Sequence, residues 1–272
     1  RMGLSHAAMA GLLEPDMSLL LVEPSFKARL ALRTSIGLGV KFTPKASKEE
    51  IKSETHAVIA TPPNFHQTNF QQLSDAEFMG RILIEKPISV DRSTLTGGQE
   101  VMSGYILRHA YFWGRIRADT LGKKIRKVKI RLETNQDFDI QAEGWRVQER
   151  VPGLSLLFEF GSHCVNLLLD LTKVDALSVS EANVNRIHLV SSGNETHNIE
   201  IQANSANVRK SVYTVSIETD SSNYITDFYS YTEIKPDGSI AQSTSLAKEG
   251  VNATAYLRGQ EFTKQMSLFL ED

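Results

Sequence analysis

Two short constellations in this sequence have the residue types and spacing for proton transfer. In Leu156-Leu157-Phe158-Glu159-Phe160-Gly161-Ser162-His163 a carboxylate and an imidazole stand four residues apart, which places them on one face of a helix. Imidazole is the group best suited to exchange a proton near neutral pH, and Glu159 can hold its tautomer or bind a neighbouring substrate hydroxyl. The plainer alternative is a partly buried His163 satisfied by its neighbour. The second constellation is Glu85-Lys86-Pro87, at the exit of the apolar run Arg81 to Ile84. A lysine at a strand tip can bond a substrate oxygen or relay a proton. A Glu-Lys pair by itself is more often a surface ion pair worth little. Position, rather than residue type, raises this one.

A third pattern points to a nucleotide. Arg1-Met2-Gly3 runs directly into a helix, and a strand closing on Glu23 follows. Dinucleotide folds place a glycine-rich turn and a helix N-terminus at the pyrophosphate, with an acidic residue about twenty positions on that bonds the ribose hydroxyls. Gly3 and Glu23 have that spacing; an ordinary tight helix start and a solvated strand-end charge are the plainer alternatives. A carboxylate at Glu23 disfavours a 2′-phosphate, so NAD is expected over NADP, with Lys27 and Arg29 keeping the question open.

These residues need elements to hold them. The first ninety residues alternate helical and strand patterns, as a parallel α/β sheet requires. Helices are expected over Leu4 to Leu13, Pro24 to Arg33 and Phe65 to Leu73, with Ser25 available as a cap. Strands are expected over Met17 to Val22, His56 to Ala60 and Arg81 to Ile84. Each strand ends in a polar or proline-containing turn, and in an open parallel sheet such ends line the ligand crevice. Beyond residue 100 the pattern turns to long β stretches: Lys127 to Thr134, Ala182 to Val190, Asn198 to Ile201, Val212 to Glu218 and Tyr224 to Ile234. Lys235-Pro236-Asp237-Gly238 is a hairpin-type turn, and an antiparallel sheet is expected. Leu154 to Leu171 and Tyr256 to Leu270 read as helices, the latter with Phe262, Met266 and Phe269 on one face.

Bulk properties exclude several classes. With 41% hydrophobic and 23% charged residues, the 272-residue chain has the composition of a folded globular protein of one large or two ordinary domains. A net charge of −2 gives no electrostatic reason to expect nucleic acid or an anionic membrane as partner. The lone Cys164 excludes an intrachain disulfide and a multi-cysteine zinc site, and a reducing cytoplasm is the simple expectation. No apolar run approaches the roughly eighteen residues of a membrane span. Three further features lead nowhere. Tyr231 and Lys235 have a Tyr-x-x-x-Lys spacing, but on a strand four residues span roughly 13 Å. His188 and His197 flank a polar turn with no nearby second ligand, so no metal is expected. Cys164 is expected to pack in the core.

Taken as an ordered set, Ala60-Thr61-Pro62-Pro63-Asn64-Phe65-His66, Glu85-Lys86-Pro87, Gly104-Tyr105 with Arg108, Gly144-Trp145-Arg146, and Glu159 with Gly161 and His163 resemble the Gfo/Idh/MocA oxidoreductase family. The resemblance runs through nearly the whole chain. It implies an α/β architecture: a Rossmann dinucleotide-binding domain, then an α+β domain with a large open, mostly antiparallel sheet that commonly mediates homo-oligomerisation. The expected division is 1–98, 99–255, and a terminal helix at 256–272 packing near the Rossmann domain. The implied activity is NAD-dependent hydride transfer at a hydroxyl carbon of a sugar, cyclitol or nucleotide-sugar. Lys86 and His163 match the catalytic positions, with Glu159 beside them. The cofactor is expected near Arg1, Met2, Gly3, Glu23, Thr61, Pro62, Pro63, His66 and Glu85, with Trp145 and Arg146 approaching from the second domain. Two other activities fit the same scaffold: an NAD-dependent glycosidase and a non-catalytic, sugar-responsive regulator that binds a dinucleotide.

The chain also departs from the family pattern. Glu159 stands where aspartate is usual, and Val151-Pro152-Gly153-Leu154 replaces a glycine run. The first strand of the dinucleotide fold and the earlier glycines have no counterpart, and the connection from Pro87 to the Val101 strand is short. These departures lead to the expectation that the sequence covers part of a longer chain.

Overall fold

In the computed structural model, which describes residues 2–35, 40–88, 90, 99–135, 156–183, 185–191, 196–251 and 260–271, the chain divides into two units. One comprises Arg1–Gly104 with Phe262–Asp272, the other Tyr105–Glu261.

Among the described residues, the first unit holds only parallel strands. β1 (Leu19–Val22) pairs with β2 (Val40–Thr43), and a second sheet runs β3 (His56–Ile59), β4 (Arg81–Ile84), β5 (Val101–Ser103) in that order. Helices α1 (Met2–Leu13), α2 (Phe26–Ser35), α3 (Lys48–Ser53) and α4 (His66–Asp75) alternate with the strands, as parallel pairing demands. The continuous apolar run of β4 follows from burial on both faces. Ile82 and Ile84 pack with Ile59, Phe70 and Phe78, while Leu83 packs with Ala10, Met266 and Phe269. Met266 and Phe269 belong to the C-terminal helix (Glu261–Leu270), which brings the expected apolar face to this core. Arg81 fastens the end of that helix, its guanidinium donating to the Phe269 carbonyl at 2.9 Å.

Two elements of this unit escape the sequence reading, β2 and α3. α3 is only six residues long and is held by a reciprocal cap, Ser47 Oγ accepting from Glu50 N at 3.1 Å and the Glu50 carboxylate accepting from Ser47 N at 2.8 Å. Ser25 does cap α2, accepting from Ala28 N at 3.3 Å.

Among its described residues, the second unit is built on eight strands: β6 (Ile125–Glu133), β7 (Leu177–Asn183), β8 (Arg186–Ser191), β9 (Asn198–Gln202), β10 (Val212–Thr219), β11 (Asn223–Thr226), β12 (Ser230–Ile234) and β13 (Ile240–Ser245). Their order is β13-β12-β11-β10-β6-β9-β8-β7, antiparallel throughout except between β6 and β9. Alternation sends Val128, Ile130 and Leu132 of β6, Ile199 and Ile201 of β9, and Val215 and Ile217 of β10 to one face. α5 (Tyr111–Thr120) and α6 (Ser162–Leu171) contribute Phe112, Trp113, Ile116, Leu167 and Leu168 to the same core. Residues of the opposite face, among them Lys127, Lys129, Arg131, Thr214 and Glu218, are exposed.

Two expected strands prove to be hairpins. Ala182 to Val190 belongs to β7 and β8, which pair across a turn where Asn185 N donates to Asn183 Oδ1 at 3.0 Å. Tyr224 to Ile234 divides into β11 and β12, because Asp227 Oδ1 accepts from Tyr229 N at 2.9 Å and Ser230 N at 2.7 Å and folds the chain back. The turn at Gly238 forms as expected, with φ of 83° and Gly238 N donating to Lys235 O at 2.9 Å. No helix among the described residues is long and apolar enough to cross a membrane.

Candidate active site

In the first unit, the strand-end residues singled out above share one edge. β3 and β4 are parallel, so the turn Ala60-Thr61-Pro62-Pro63 and the turn Glu85-Lys86-Pro87 leave the sheet on the same side. Thr61 and Pro62 are exposed, and the Lys86–Pro87 peptide is cis. The first turns of α1 lie at this edge too. A Cβ on Gly3 would stand 3.5 Å from Ala60 Cβ, and His6 Nε2 lies 2.6 Å from Glu85 Oε1. The first turns of α1 therefore lie beside the Ala60 and Glu85 turns.

Glu23 closes β1. Its Oε1 accepts from Ser25 N at 2.8 Å, and Arg29 donates to the carbonyls of Glu23 and Pro24 at 2.5 and 2.8 Å. A carboxylate thus stands at the tip of the strand after α1.

His66 takes a different place from an exposed ligand contact. It is wholly buried, and its Nε2 donates to Thr61 O at 2.8 Å. Burial holds its pKa below the usual histidine value, opposed by the backbone at Thr61 and Pro87 and the charge of Glu85. His66 therefore braces the Thr61 and Pro87 turns from beneath. Asn69 adds a bond from Nδ2 to Thr61 Oγ1 at 2.8 Å. Glu85 is likewise buried, one carboxylate oxygen on His6 and the other accepting from Lys86 N at 3.2 Å.

In the second unit the expected helix begins as a π-helical turn, Leu157–Gly161, before α6. Gly161 allows that turn to approach the sheet, since a Cβ there would stand 3.2 Å from Ile201 Cδ1 and 2.6 Å from Leu157 Cδ1. His163, half-buried in the first turn of α6, meets the ring of Tyr105 edge-on with centroids 5.7 Å apart. It lines a cavity of about 260 Å³ together with Leu107, Tyr213, Asp227, Phe228, Tyr229 and Glu261. Burial raises the Tyr213 phenol well above its usual range, with Cys164 and Glu159 adding to the effect, so it is a neutral donor. Burial also raises the carboxyl of Glu261. Phe228 has φ of 69°, an uncommon conformation for a bulky residue, held in place by the Asp227 turn. Cys164 packs in the core as expected, and burial pushes its thiol up to about 12.

Sequence reasoning did not single out His6, Tyr213, Asp227, Tyr229 or Glu261. His6 comes to the strand tips of the first unit, and the other four to the cavity of the second, from distant parts of the chain, with no local motif to mark them. Arg1, Trp145 and Arg146 lie outside the described residues.

No family model matches the sequence, and no curated protein is significantly similar to it. Solved structures are similar. Levoglucosan dehydrogenase in complex with NADH and levoglucosan aligns with a TM-score of 0.73 at 14% identity, covering 98% of this chain and 84% of that one. The chain has the fold of the Gfo/Idh/MocA oxidoreductases. UDP-N-acetylglucosamine 3-dehydrogenase from Acidithiobacillus ferrooxidans gives 0.71 at 15% identity, with 98% and 86% covered. An oxidoreductase from Agrobacterium radiobacter in complex with NAD+, L-tartaric acid and magnesium gives 0.73 at 10%, with 98% and 84% covered.

Proposed function

We propose that this chain is an NAD-dependent oxidoreductase acting on a hydroxyl carbon of a sugar-like substrate. The observation that carries the reading is the first turn of α1 at the tips of β3 and β4, beside Lys86. The similar structures hold NADH with levoglucosan, or NAD+ with L-tartaric acid, and support the same class of reaction.

Met2, Gly3 and the helix start would hold the pyrophosphate, Glu23 the adenosine ribose, and the turn from Thr61 to Pro63 the nicotinamide half. Bound there, the dinucleotide supplies the acceptor for the hydride of the substrate's C–H bond. His163 takes the proton of the hydroxyl as the C–O bond becomes a carbonyl. The Lys86 ammonium stabilises the charge on that oxygen. Glu159 orients His163 or a neighbouring hydroxyl. Glu23 favours NAD over NADP because a carboxylate repels a 2′-phosphate. Arg1, Trp145 and Arg146 remain part of the proposed cofactor contacts, by resemblance alone. The protein works in the cytoplasm as a homo-oligomer, a dimer or tetramer assembled through the open face of the eight-stranded sheet.

The test is a screen of NAD and NADP reduction against inositols, aldoses and nucleotide-linked sugars. Reduction of NAD by at least one of them, faster than of NADP, is expected. No reduction with any, in a protein that still binds NADH, would leave a non-catalytic regulator as the better reading.

A further inference from the structure

We propose that His6 positions Lys86, acting through the carboxylate of Glu85. The inference rests on the reading of Lys86 as the group that meets the substrate oxygen. His6 lies on α1 and Glu85 follows β4, 79 residues away, yet the two are only 2% and 5% exposed. His6 Nε2–H donates to one oxygen of Glu85 at 2.6 Å, and the other oxygen accepts from the backbone N–H of Lys86 at 3.2 Å. Glu85 N in turn donates to Ile59 O at 2.9 Å. The carboxylate therefore joins the cofactor-facing helix to the peptide from which the Lys86 side chain departs.

Its surroundings leave it little freedom. A Cβ on Gly104 would stand 2.9 Å from Glu85 Cα and 3.1 Å from its Cδ, so the chain after β5 closes against one side. On α1, the His6 ring lies against Phe262, with centroids 4.7 Å apart. A buried carboxylate stripped of its donor is costly and turns toward water or another donor. If Glu85 turns, the Lys86 N–H loses its acceptor and the lysine shifts. A misplacement of about 1 Å at a reacting centre can cost on the order of 10²-fold in rate.

A purely stabilising contact would also tie α1 to β4, so the test needs a readout that stability alone does not move. In glutamine the amide nitrogen falls near the place of Nε2, and in asparagine near that of Nδ1. Only the first reaches Glu85. His6→Gln and His6→Asn are compared in the full chain for NADH affinity, for kcat and KM, and for the rate of Lys86 acylation by acetic anhydride, read by mass spectrometry against Lys52. His6→Asn should keep NADH affinity within about threefold and lose about tenfold or more in kcat, with little change in KM, as for an interaction made in the transition state. Its relative acylation rate at Lys86 should change by about threefold or more, following the changed surroundings of the amine. His6→Gln should recover most of both. Folded His6→Asn with wild-type kcat and wild-type Lys86 acylation would overturn the proposal, as would failure of glutamine to outperform asparagine. If His6→Asn does not fold, His6→Leu carries the same comparison. Should the wild type turn over no sugar, the functional reading fails while acylation still tests the positioning.

Discussion

His66 shows how a histidine near a binding edge can work by staying neutral. Burial depresses its pKa, so below the ordinary value of 6.5 the unfolded chain binds a proton that the folded chain resists. The folded state therefore loses stability as pH falls through that window and regains it as pH rises. Urea denaturation of wild type against His66→Gln should show this pH dependence only in the wild type; parallel curves would mean that His66 does not titrate on unfolding. Its partner Thr61 was legible from sequence as part of a proline turn, but the inward direction of His66 was not. Type and spacing mark Lys86, His163 and Glu23, whereas His6 is visible only when β4 and α1 are brought together.

At the scale of elements, chain length and burial decide what could be read. β4 was legible to the residue, because three apolar side chains in succession need both faces covered and a charged turn ends the run. β2 was missed because Val40-Lys41-Phe42-Thr43 is short and mixed, although Ser47 with Glu50 carried a capping signal for the helix beyond it. The long β stretches were read without their turns because Asp227 and Asn183 fold the chain by side-chain bonds, without a glycine at the corner. Gly104 is a tight constraint on the strand tips of the first unit. A methyl there would meet Glu85 Cα at 2.9 Å and Ile84 O at 3.1 Å, backbone atoms that do not yield. Gly104→Ala should cost about 1–3 kcal/mol, the usual range for overpacking. Unchanged stability in thermal or urea unfolding would show that the β5 end can move away.

At the scale of the whole molecule, the class of each unit was legible from the switch between helical and alternating patterns, and the pairing order of strands was not. Among the described residues a helix and a hairpin lie between the parallel neighbours β6 and β9, and no local pattern specifies that union. The open face of the eight-stranded sheet carries Lys127, Lys129 and Arg131 with Glu218. Assembly through such a face should weaken with salt, because exposed charges are screened within about 10 Å at 0.1 M ionic strength. Light scattering across a salt series should show dissociation, and a salt-independent mass would place the contact elsewhere. The proposed reaction needs both the Lys86 ammonium and the His163 imidazole. Its most direct test is the NADH affinity and the rate of NADH formation, with one accepted sugar, of wild type, Lys86→Ala and His163→Ala. Each variant should lose about 10²-fold or more in rate through lost proton transfer or charge stabilisation, with NADH affinity within about threefold of wild type. A variant that keeps the wild-type rate, or a loss of NADH binding in step with turnover in both, would contradict it.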